Sequence, residues 1–241
     1  MAVLGGTLMP SRTQAMALPS TDCLNAFSLG TYSQALMDCA LAAQSGNPEA
    51  MAYMGGMYYK GLGIKQDFNE AYKWYQQAAA LGYDEAEFSM GKMLEKGEGT
   101  ERDYEQALGW YQKAAAQGNV PAIYNVGYLY GKGFLKSGAD YKQAATWWNK
   151  AADLNHAPAM YALSTLYRAG VGVEKKDMVK AYMWITLAGK YGVPEAEAAR
   201  VKMAAELSGE EVAQAGKMMD EWERRKKDDS APARPLSVPA H

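Results

Sequence analysis

AYKWYQQAAALG, residues 71–82, returns 36 positions later as ALGWYQKAAAQG, residues 107–118. In the first copy the apolar residues fall at positions i, i+3, i+4, i+7 and i+8, which are Ala71, Trp74, Tyr75, Ala78 and Ala79. These positions share one side of an α-helix, so the spacing predicts an amphipathic helix with one broad apolar face. Because the second copy keeps the pattern, the sequence predicts a repeated helical unit.

Several columns of residues give the period of this repeat. The tryptophans Trp74, Trp110, Trp147 and Trp184 are 36, 37 and 37 residues apart. The same period is kept by Ala50, Ala86, Ala122 and Ala159, by Ala71, Ala107, Ala144 and Ala181, and by Gly55, Gly91 and Gly127, with Ser164 in the fourth place. Agreement of independent columns predicts four units between residues 47 and 192.

The first unit indicates how each copy folds. A glycine in a helix interior costs about 1 kcal/mol, so we interpret Gly55 as a notch that lets a neighbouring helix approach closely. Gly61 is predicted to end the first helix, and Asp67 is predicted to be the N-cap of the second, with Glu70 completing a capping box. One helix pair cannot bury its own apolar stripe, so the pairs are predicted to stack, with the four tryptophans of the repeat in the core.

This pattern closely resembles the Sel-one-like repeat family, a subclass of the tetratricopeptide-type helical repeats. The family pattern is A-x-x-x-L-G-x-x-Y-x-x-G-x-G-V followed by K-A-x-x-W-Y-x-K-A-A-x-x-G, and the units that start at Asn47 and Tyr83 match it almost throughout. The unit at His156 keeps LYRAGVGVEKKDMVKAYMWITLA, whereas the third unit has GFLKSGAD in its loop and one extra residue. The resemblance implies an all-α fold, a right-handed α-solenoid of stacked antiparallel helix pairs with helical caps.

The remaining segments are predicted to flank the repeats, which are assigned to residues 47–82, 83–118, 119–155 and 156–192. A capping helix pair is expected at 21–46 and further capping helices at 193–227, where Ser208 and Glu211 form a capping-box pattern. The Pro-rich polar residues 228–241 are expected to be disordered. Residues 1–20 are interpreted as an export signal or a disordered N-terminus, because a short apolar run and an A-x-A site occur there without a basic segment before them.

Composition and charge limit the classes of function. The 241 residues are 49% hydrophobic and 22% charged, with a formal net charge of −2, so a globular chain without affinity for nucleic acid is expected. No apolar run is long enough for a transmembrane helix. His156 and His241 have no metal-ligand company in the sequence, and no phosphate-binding or nucleophile motif occurs. We therefore expect no metal, no cofactor and no small-molecule substrate.

The two cysteines bear on the compartment. Cys23 and Cys39 are equidistant from a predicted turn at Thr31, so an antiparallel helical hairpin would bring them within reach of a disulfide. Two buried reduced thiols in a cytoplasmic protein are the alternative. Together with the N-terminal segment, the pair favours a periplasmic or secreted protein over a cytoplasmic one.

Candidate binding residues follow from the resemblance, which implies that the first helices line a concave side. Aligned positions there form one column of Ala52, Phe88, Tyr124 and Tyr161, and a second of Gly56, Lys92, Tyr128 and Thr165. Near them lies a rim of Tyr59, Lys60, Lys96, Lys132 and Arg168. Aromatic rings beside basic groups predict a groove for an acidic peptide, although the same aromatics could instead pack locally.

The sequence thus predicts a non-catalytic scaffold or adaptor that binds a protein or peptide. For the family, the resemblance implies roles such as bacterial envelope regulator, complex subunit or effector-immunity protein. One alternative is a carbohydrate- or β-lactam-acting envelope enzyme that uses the acids Glu95, Glu98 and Glu101, although such relatives carry a cysteine pair in every repeat and the four units here have none. A self-associating structural module is the other alternative.

Overall fold

The computed structural model describes residues 21–230, so the predictions made for residues 1–20 and 231–241 lie outside the described part of the chain. Residues 21–230 form twelve α-helices and no strand. The all-α fold of repeated helix pairs predicted from the sequence is therefore confirmed. The chain divides into two compact units, with unit 1 ending at Asp103 and unit 2 beginning at Tyr104.

The helices of each unit follow one another as packed neighbours. Unit 1 contains α1 (Thr21–Ser28), α2 (Tyr32–Gln44), α3 (Pro48–Lys60), α4 (Phe68–Ala80) and α5 (Asp84–Lys96). Unit 2 contains α6 (Tyr104–Ala116), α7 (Val120–Lys132), α8 (Tyr141–Asp153), α9 (Ala157–Ala169), α10 (Met178–Lys190), α11 (Glu195–Ala204) and α12 (Gly209–Ser230). The first and second helices of the repeats therefore alternate from α3 to α10.

The glycine notch of the sequence analysis exists, and a specific aromatic residue occupies it. A Cβ atom added to Gly55 would lie 2.8 Å from the Tyr75 ring, and one added to Gly127 would lie 2.6 Å from the Trp148 ring. The Ser164 hydroxyl takes the corresponding place on α9 and donates to the Ala181 carbonyl over 2.8 Å. Because Gly55 and Gly127 have no side chain, an aromatic ring of the second helix can lie against the backbone of the first helix.

The prediction that the repeat tryptophans form the core is wrong for three of the four. Trp74, Trp110 and Trp147 are only half-buried. Tyr111 and Trp148, which follow Trp110 and Trp147, are buried instead, whereas Tyr75, which follows Trp74, is itself half-buried against Gly55. Lys113 lies over the Trp110 ring at 4.0 Å, and Lys150 lies over the Trp147 ring at 4.3 Å. Trp184 is buried because Trp222 of α12 covers it, with ring centroids 5.7 Å apart.

Aspartate caps start the second helices, although without the predicted reciprocal bond. The Asp67 carboxylate accepts from the backbone amides of Asn69 and Glu70. Its own amide donates to the Tyr58 carbonyl over 3.0 Å, and Glu70 instead forms an ion pair with Lys73. The capping box is therefore half-formed here, because a bond back to the first helix has taken the amide that Glu70 would accept from.

The N-terminus of α12 carries a complete capping box. The Ser208 amide donates to the Glu211 carboxylate over 2.8 Å, and the Glu211 amide donates to the Ser208 hydroxyl over 3.2 Å. Helix α12 packs on the core of unit 2 through buried Ala215 and Trp222. This helix continues to Ser230, so three residues of the predicted disordered tail are helical.

The other end of the described chain carries the predicted disulfide. Cys23 of α1 and Cys39 of α2 are bonded, and their Cα atoms are 4.7 Å apart. Both side chains are fully buried, and Phe27 of α1 contacts Tyr32 of α2 with ring centroids 5.8 Å apart. The disulfide therefore joins the capping pair of unit 1 into one hairpin.

Candidate functional site

The predicted binding residues of unit 1 lie on α3 and α5, and we call this side of the two helices the first-helix surface of unit 1. Phe88 and Lys92 are half-buried on α5, and the Lys92 ammonium group lies 5.5 Å from the centre of the Phe88 ring. Lys60, at the end of α3, is close enough to Lys92 to act on its charge. The structure thus brings these three predicted residues together.

Two predicted rim residues are bound to each other rather than open to a partner. The Tyr59 hydroxyl donates to the Glu98 carboxylate over 2.6 Å and accepts from the Lys96 ammonium group over 3.1 Å. Lys96 and Glu98 are also an ion pair at 3.6 Å. The Tyr59 ring packs edge-on against Phe68, with centroids 5.3 Å apart. Tyr59 and Lys96 therefore fasten the loop after α5 and form no part of an open basic rim.

Two ammonium groups on the same surface have no such partner. Among the described residues, neither Lys60 nor Lys92 forms an ion pair or donates a hydrogen bond to an acid. Burial lowers the pKa of Lys92, and repulsion from Lys96 and Lys60 lowers it further, whereas attraction by Glu98 and Glu95 offsets part of this shift. Positive charge is therefore held here at an electrostatic cost that an anion would relieve.

A cavity of about 290 Å³ opens beside these lysines, and the sequence analysis did not predict it. Small residues of α3, Ala52 and Gly56, leave the space, and the Tyr75 hydroxyl lies below it. Its walls are mostly aromatic and polar side chains: Phe27, Tyr53, Tyr83, Glu85 and Ser89. Ala52 and Gly56 stand in the aligned columns, but side chains this small do not predict a binding contact.

The equivalent positions of unit 2 are filled. Tyr124 of α7 stacks on Trp148 with centroids 6.3 Å apart and contacts His156 at 4.8 Å. Tyr128 packs against Phe134 at 6.2 Å, and Lys132 lies over the Tyr128 ring at 5.4 Å. Local packing, the alternative considered for these aromatics, is thus what the structure shows at Tyr124 and Tyr128.

The predicted binding residues of unit 2 also include Tyr161 and Arg168 of α9. Tyr161 is half-buried and packs against the core of unit 2. Arg168 is exposed near the end of the same helix, and Thr165 donates its hydroxyl proton to the Ala162 carbonyl over 2.7 Å. The described part of unit 2 therefore offers no counterpart to the cavity beside Lys60 and Lys92.

His156 starts its repeat without a side-chain cap. Asn47 and Asn119 cap the first helices of their repeats with a side-chain oxygen, whereas Tyr83 and His156 make no side-chain cap. Its Nδ1 atom is buried without a hydrogen-bond partner among the described residues. Burial lowers the pKa of the imidazole, which favours the neutral form.

A larger cleft, of about 660 Å³, lies in unit 2 where the end of α12 meets the ends of α8 and α10. Lys226 lies over the Trp222 ring at 4.5 Å and donates to the Asn155 side chain. Trp222 donates its indole proton to Asp153 over 3.3 Å, and Lys190 pairs with Glu223. Of the charged residues that line this cleft, Asp153, Glu223 and Lys226 are engaged in docking α12.

Chemical motifs are sparse in the part of the chain that the structure covers. Residues 21–230 contain no group of three or more His, Cys, Asp or Glu side chains able to hold a metal ion. None of their helices combines the length and apolar character needed to cross a membrane. Of the loop acids considered for catalysis, Glu98 is bound by Tyr59 and Lys96.

Comparison with known proteins agrees with this geometry. The profile of the Sel1 repeat family matches residues 48–83, 84–119, 120–156 and 157–190. A Sel1 repeat protein from Oxalobacter formigenes is 27% identical, with a TM-score of 0.71 over 88% of this chain and 85% of that chain. A protective antigen of uropathogenic Escherichia coli with an SLR fold is 26% identical, with a TM-score of 0.69 over 83% of this chain. The match covers 42% of that chain, so this protein spans less than half its length.

A more distant likeness shows the fold alone. An immunity protein from Pseudomonas aeruginosa is 20% identical, with a TM-score of 0.52 over 92% of this chain and 93% of that chain. No curated protein sequence matches this one significantly.

The family matches follow one another along the chain and coincide with the helix pairs from α3 to α10. Sel1 repeats are helical scaffolds that mediate protein interactions. This chain belongs to the Sel1 repeat family.

Proposed function

We propose that the protein is a non-catalytic scaffold that binds an acidic polypeptide segment on the first-helix surface of unit 1. The observation that carries this proposal is the pair of ammonium groups, Lys60 and Lys92, which have no acidic partner among the described residues. Lys92 lies beside the half-buried Phe88 ring. Binding sites for polypeptides combine aromatic contact area with charges that select the partner.

Charge reversal on this surface tests the proposal. The full chain, immobilised, is exposed to an extract of its native cells beside a Lys60→Glu/Lys92→Glu variant. Lys142→Glu/Lys217→Glu, which reverses two exposed lysines of unit 2, is the matched control with the same net charge. An acidic prey protein should bind the parent and the control at equal levels and bind the variant at least 10-fold less. Equal capture of every prey by all three chains would reject the proposal.

We also propose that the protein works in an oxidising compartment, the periplasm or the extracellular space. The buried Cys23–Cys39 disulfide supports this location, because such bonds persist outside the reducing cytoplasm. Thiol titration of denatured protein, isolated without reductant from its own host, should find no free thiol. Two titratable thiols per chain would contradict this location.

The partner decides among the finer roles that the family resemblance implies: envelope regulator, complex subunit or effector-immunity protein. Each of them requires a polypeptide partner, and the capture experiment identifies it. Enzymatic use of the loop acids would require them to be available, and Glu98 is bound to Tyr59 and Lys96. Self-association would give a mass that rises with protein concentration, whereas the proposed scaffold has a constant mass.

A further inference from the structure

Gly56 is a glycine that the packing of unit 1 does not require. It lies inside α3, where glycine is less favourable than alanine. A Cβ atom added there would meet only the Tyr75 hydroxyl, at 3.5 Å, which is ordinary van der Waals contact. At the neighbouring Gly55, in contrast, an added Cβ would be 2.8 Å from the Tyr75 ring. Gly55 is needed for helix packing, and what Gly56 provides is open space.

That space is the cavity of about 290 Å³ described above. Pockets for small molecules and cofactors span about 300–1,000 Å³, so this one is of a size for a single large side chain. Aromatic rings surround it, and those of Phe27 and Tyr53 are in contact with centroids 4.8 Å apart. The Tyr75 hydroxyl below the cavity is hydrogen-bonded with Ser89, and burial raises the pKa of Tyr75 to about 12. These surroundings suit an aromatic or large apolar side chain.

The charges at the cavity determine which kind of partner residue fits next to that side chain. The Glu85 carboxylate accepts the hydroxyl proton of Tyr83 and keeps its negative charge, which acts with Glu49 on the wall tyrosines. Positive charge comes from Lys60, which lines the cavity, and from Lys92, which is close to Lys60. Since these two ammonium groups form no ion pair among the described residues, an acidic residue of a partner fits beside them.

We propose that the cavity over Gly56 is a socket for one aromatic or large apolar side chain of a partner polypeptide that carries an acidic residue within about three positions of it. This inference rests on the proposed function and adds the side chain that the scaffold recognises. The socket provides shape and the aromatic rings, and Lys60 and Lys92 provide the charge preference.

Selection from a random dodecapeptide phage library on the immobilised full chain tests the socket. Gly56→Leu fills the cavity from a position where a Cβ fits, and Ala52→Tyr fills it with the residue that repeat three has at this place. Gly109→Leu is the matched control, because Gly109 is another helical glycine where an added Cβ meets no atom within 4 Å. Circular dichroism and thermal melting confirm that each variant is folded. The enriched peptides are synthesised with a fluorescent label, and their affinities for the four chains are measured by anisotropy.

The expected result is a set of peptides with a Trp, Phe, Tyr or Leu close to an Asp or Glu. They should bind the parent and Gly109→Leu equally, and Gly56→Leu and Ala52→Tyr at least 10-fold more weakly. Peptides that bind folded Gly56→Leu and Ala52→Tyr as tightly as the parent would overturn the socket, and the proposed scaffold function would survive. Enrichment of basic peptides would overturn the acidic flank. If no peptide binds the parent, the socket and the proposed function both fail.

Discussion

The first-helix surfaces of the two units are built on the same framework and differ in what covers it. In unit 1, α3 presents Ala52 and Gly56, and the space above them is open. In unit 2, α7 presents Tyr124 and Tyr128 at the same positions, and both rings pack against neighbouring aromatics. The notch beneath is alike in the two units, with Tyr75 against Gly55 and Trp148 against Gly127.

This comparison separates the residues that stack the repeats from those that give one repeat its function. A small residue in the notch is needed for close pairing of the two helices, so Gly55, Gly127 and Ser164 recur with the period of the repeat. The outward-facing positions are not needed for helix pairing, so their residues vary between copies. A site is therefore to be found where one copy departs from the others in these positions.

The largest expected effect tests whether the shared framework depends on the inserted ring or on the repeat tryptophan beside it. Trp148→Ala should lower the free energy of unfolding by roughly 3–5 kcal/mol, because a buried ring is lost from the notch of Gly127. Trp147→Ala should lower it by only about 1 kcal/mol, mainly through loss of the Lys150 contact. Urea denaturation followed by circular dichroism measures both, and equal losses would refute this division of roles.

A second test concerns the Cys23–Cys39 disulfide, which is a feature of unit 1. The disulfide closes a loop with a sequence separation of 16 residues, which should stabilise unit 1 by about 3 kcal/mol. Cys23→Ala/Cys39→Ala, or dithiothreitol added to the parent, should therefore lower the urea midpoint of unit 1. Dithiothreitol should have no effect on the double variant, which is the control. A parent midpoint that is unchanged by reduction would contradict the prediction.

Adjacent glycines of α3 give a third test, with effects of opposite sign. Gly55→Ala should destabilise the protein by about 1–3 kcal/mol, because the added methyl group meets the Tyr75 ring. Gly56→Ala should stabilise it by up to about 1 kcal/mol through the better helix propensity of alanine. Thermal unfolding of the pair is the measurement. Destabilisation by both variants would show that Gly56 also serves packing, which would weaken the argument for the socket.

The smallest effect concerns the helix caps, where unit 2 departs from its own pattern at His156. His156→Asn should add the side-chain cap that Asn119 makes to the Ala122 amide and stabilise the protein by about 1 kcal/mol. The pH dependence gives a second readout. Because burial lowers the pKa of His156 in the folded state, the unfolded chain binds more protons as pH falls below about 6.5.

The free energy of unfolding of the parent should therefore fall as pH decreases from 7 through the folded pKa. The slope should stay below about 1.4 kcal/mol per pH unit, the limit for one proton, since the imidazole is partly exposed. Denaturation at several pH values should show this part of the slope in the parent and not in His156→Asn. An identical slope in both proteins would remove His156 as its cause.

The repeat and the helix boundaries could be predicted from the sequence because they depend on local spacing. The apolar stripe at Ala71, the caps at Asp67 and Ser208, and the hairpin geometry of Cys23 and Cys39 are all local patterns. Local spacing was insufficient for the tryptophans, since both Trp147 and Trp148 lie near the apolar stripe and only the crossing of the helices decides which ring enters the notch.

Much of the candidate site was beyond such patterns for a different reason. Phe88 and Lys92 stand in the two aligned columns and Lys60 in the rim, but the bond from Tyr59 to Glu98 joins residues 39 positions apart. The cavity exists because Ala52 and Gly56 have little or no side chain, and such a gap leaves hardly any pattern in a sequence. The sequence signal for it is Gly56, a second glycine beside the notch glycine Gly55. A departure of one copy from its column was thus more informative than the aromatic residues that fill the other copies.

A reciprocal exchange between the two units tests most directly the claim that function depends on the open surface of unit 1. One variant carries Ala52→Tyr/Gly56→Tyr, which copies unit 2 into unit 1, and the other carries Tyr128→Gly, which opens unit 2. Isothermal titration with an acidic aromatic peptide selected on the parent should show at least a 10-fold loss of affinity for the first variant and parent affinity for the second. Parent affinity for a folded first variant, or a loss confined to the second, would contradict the account.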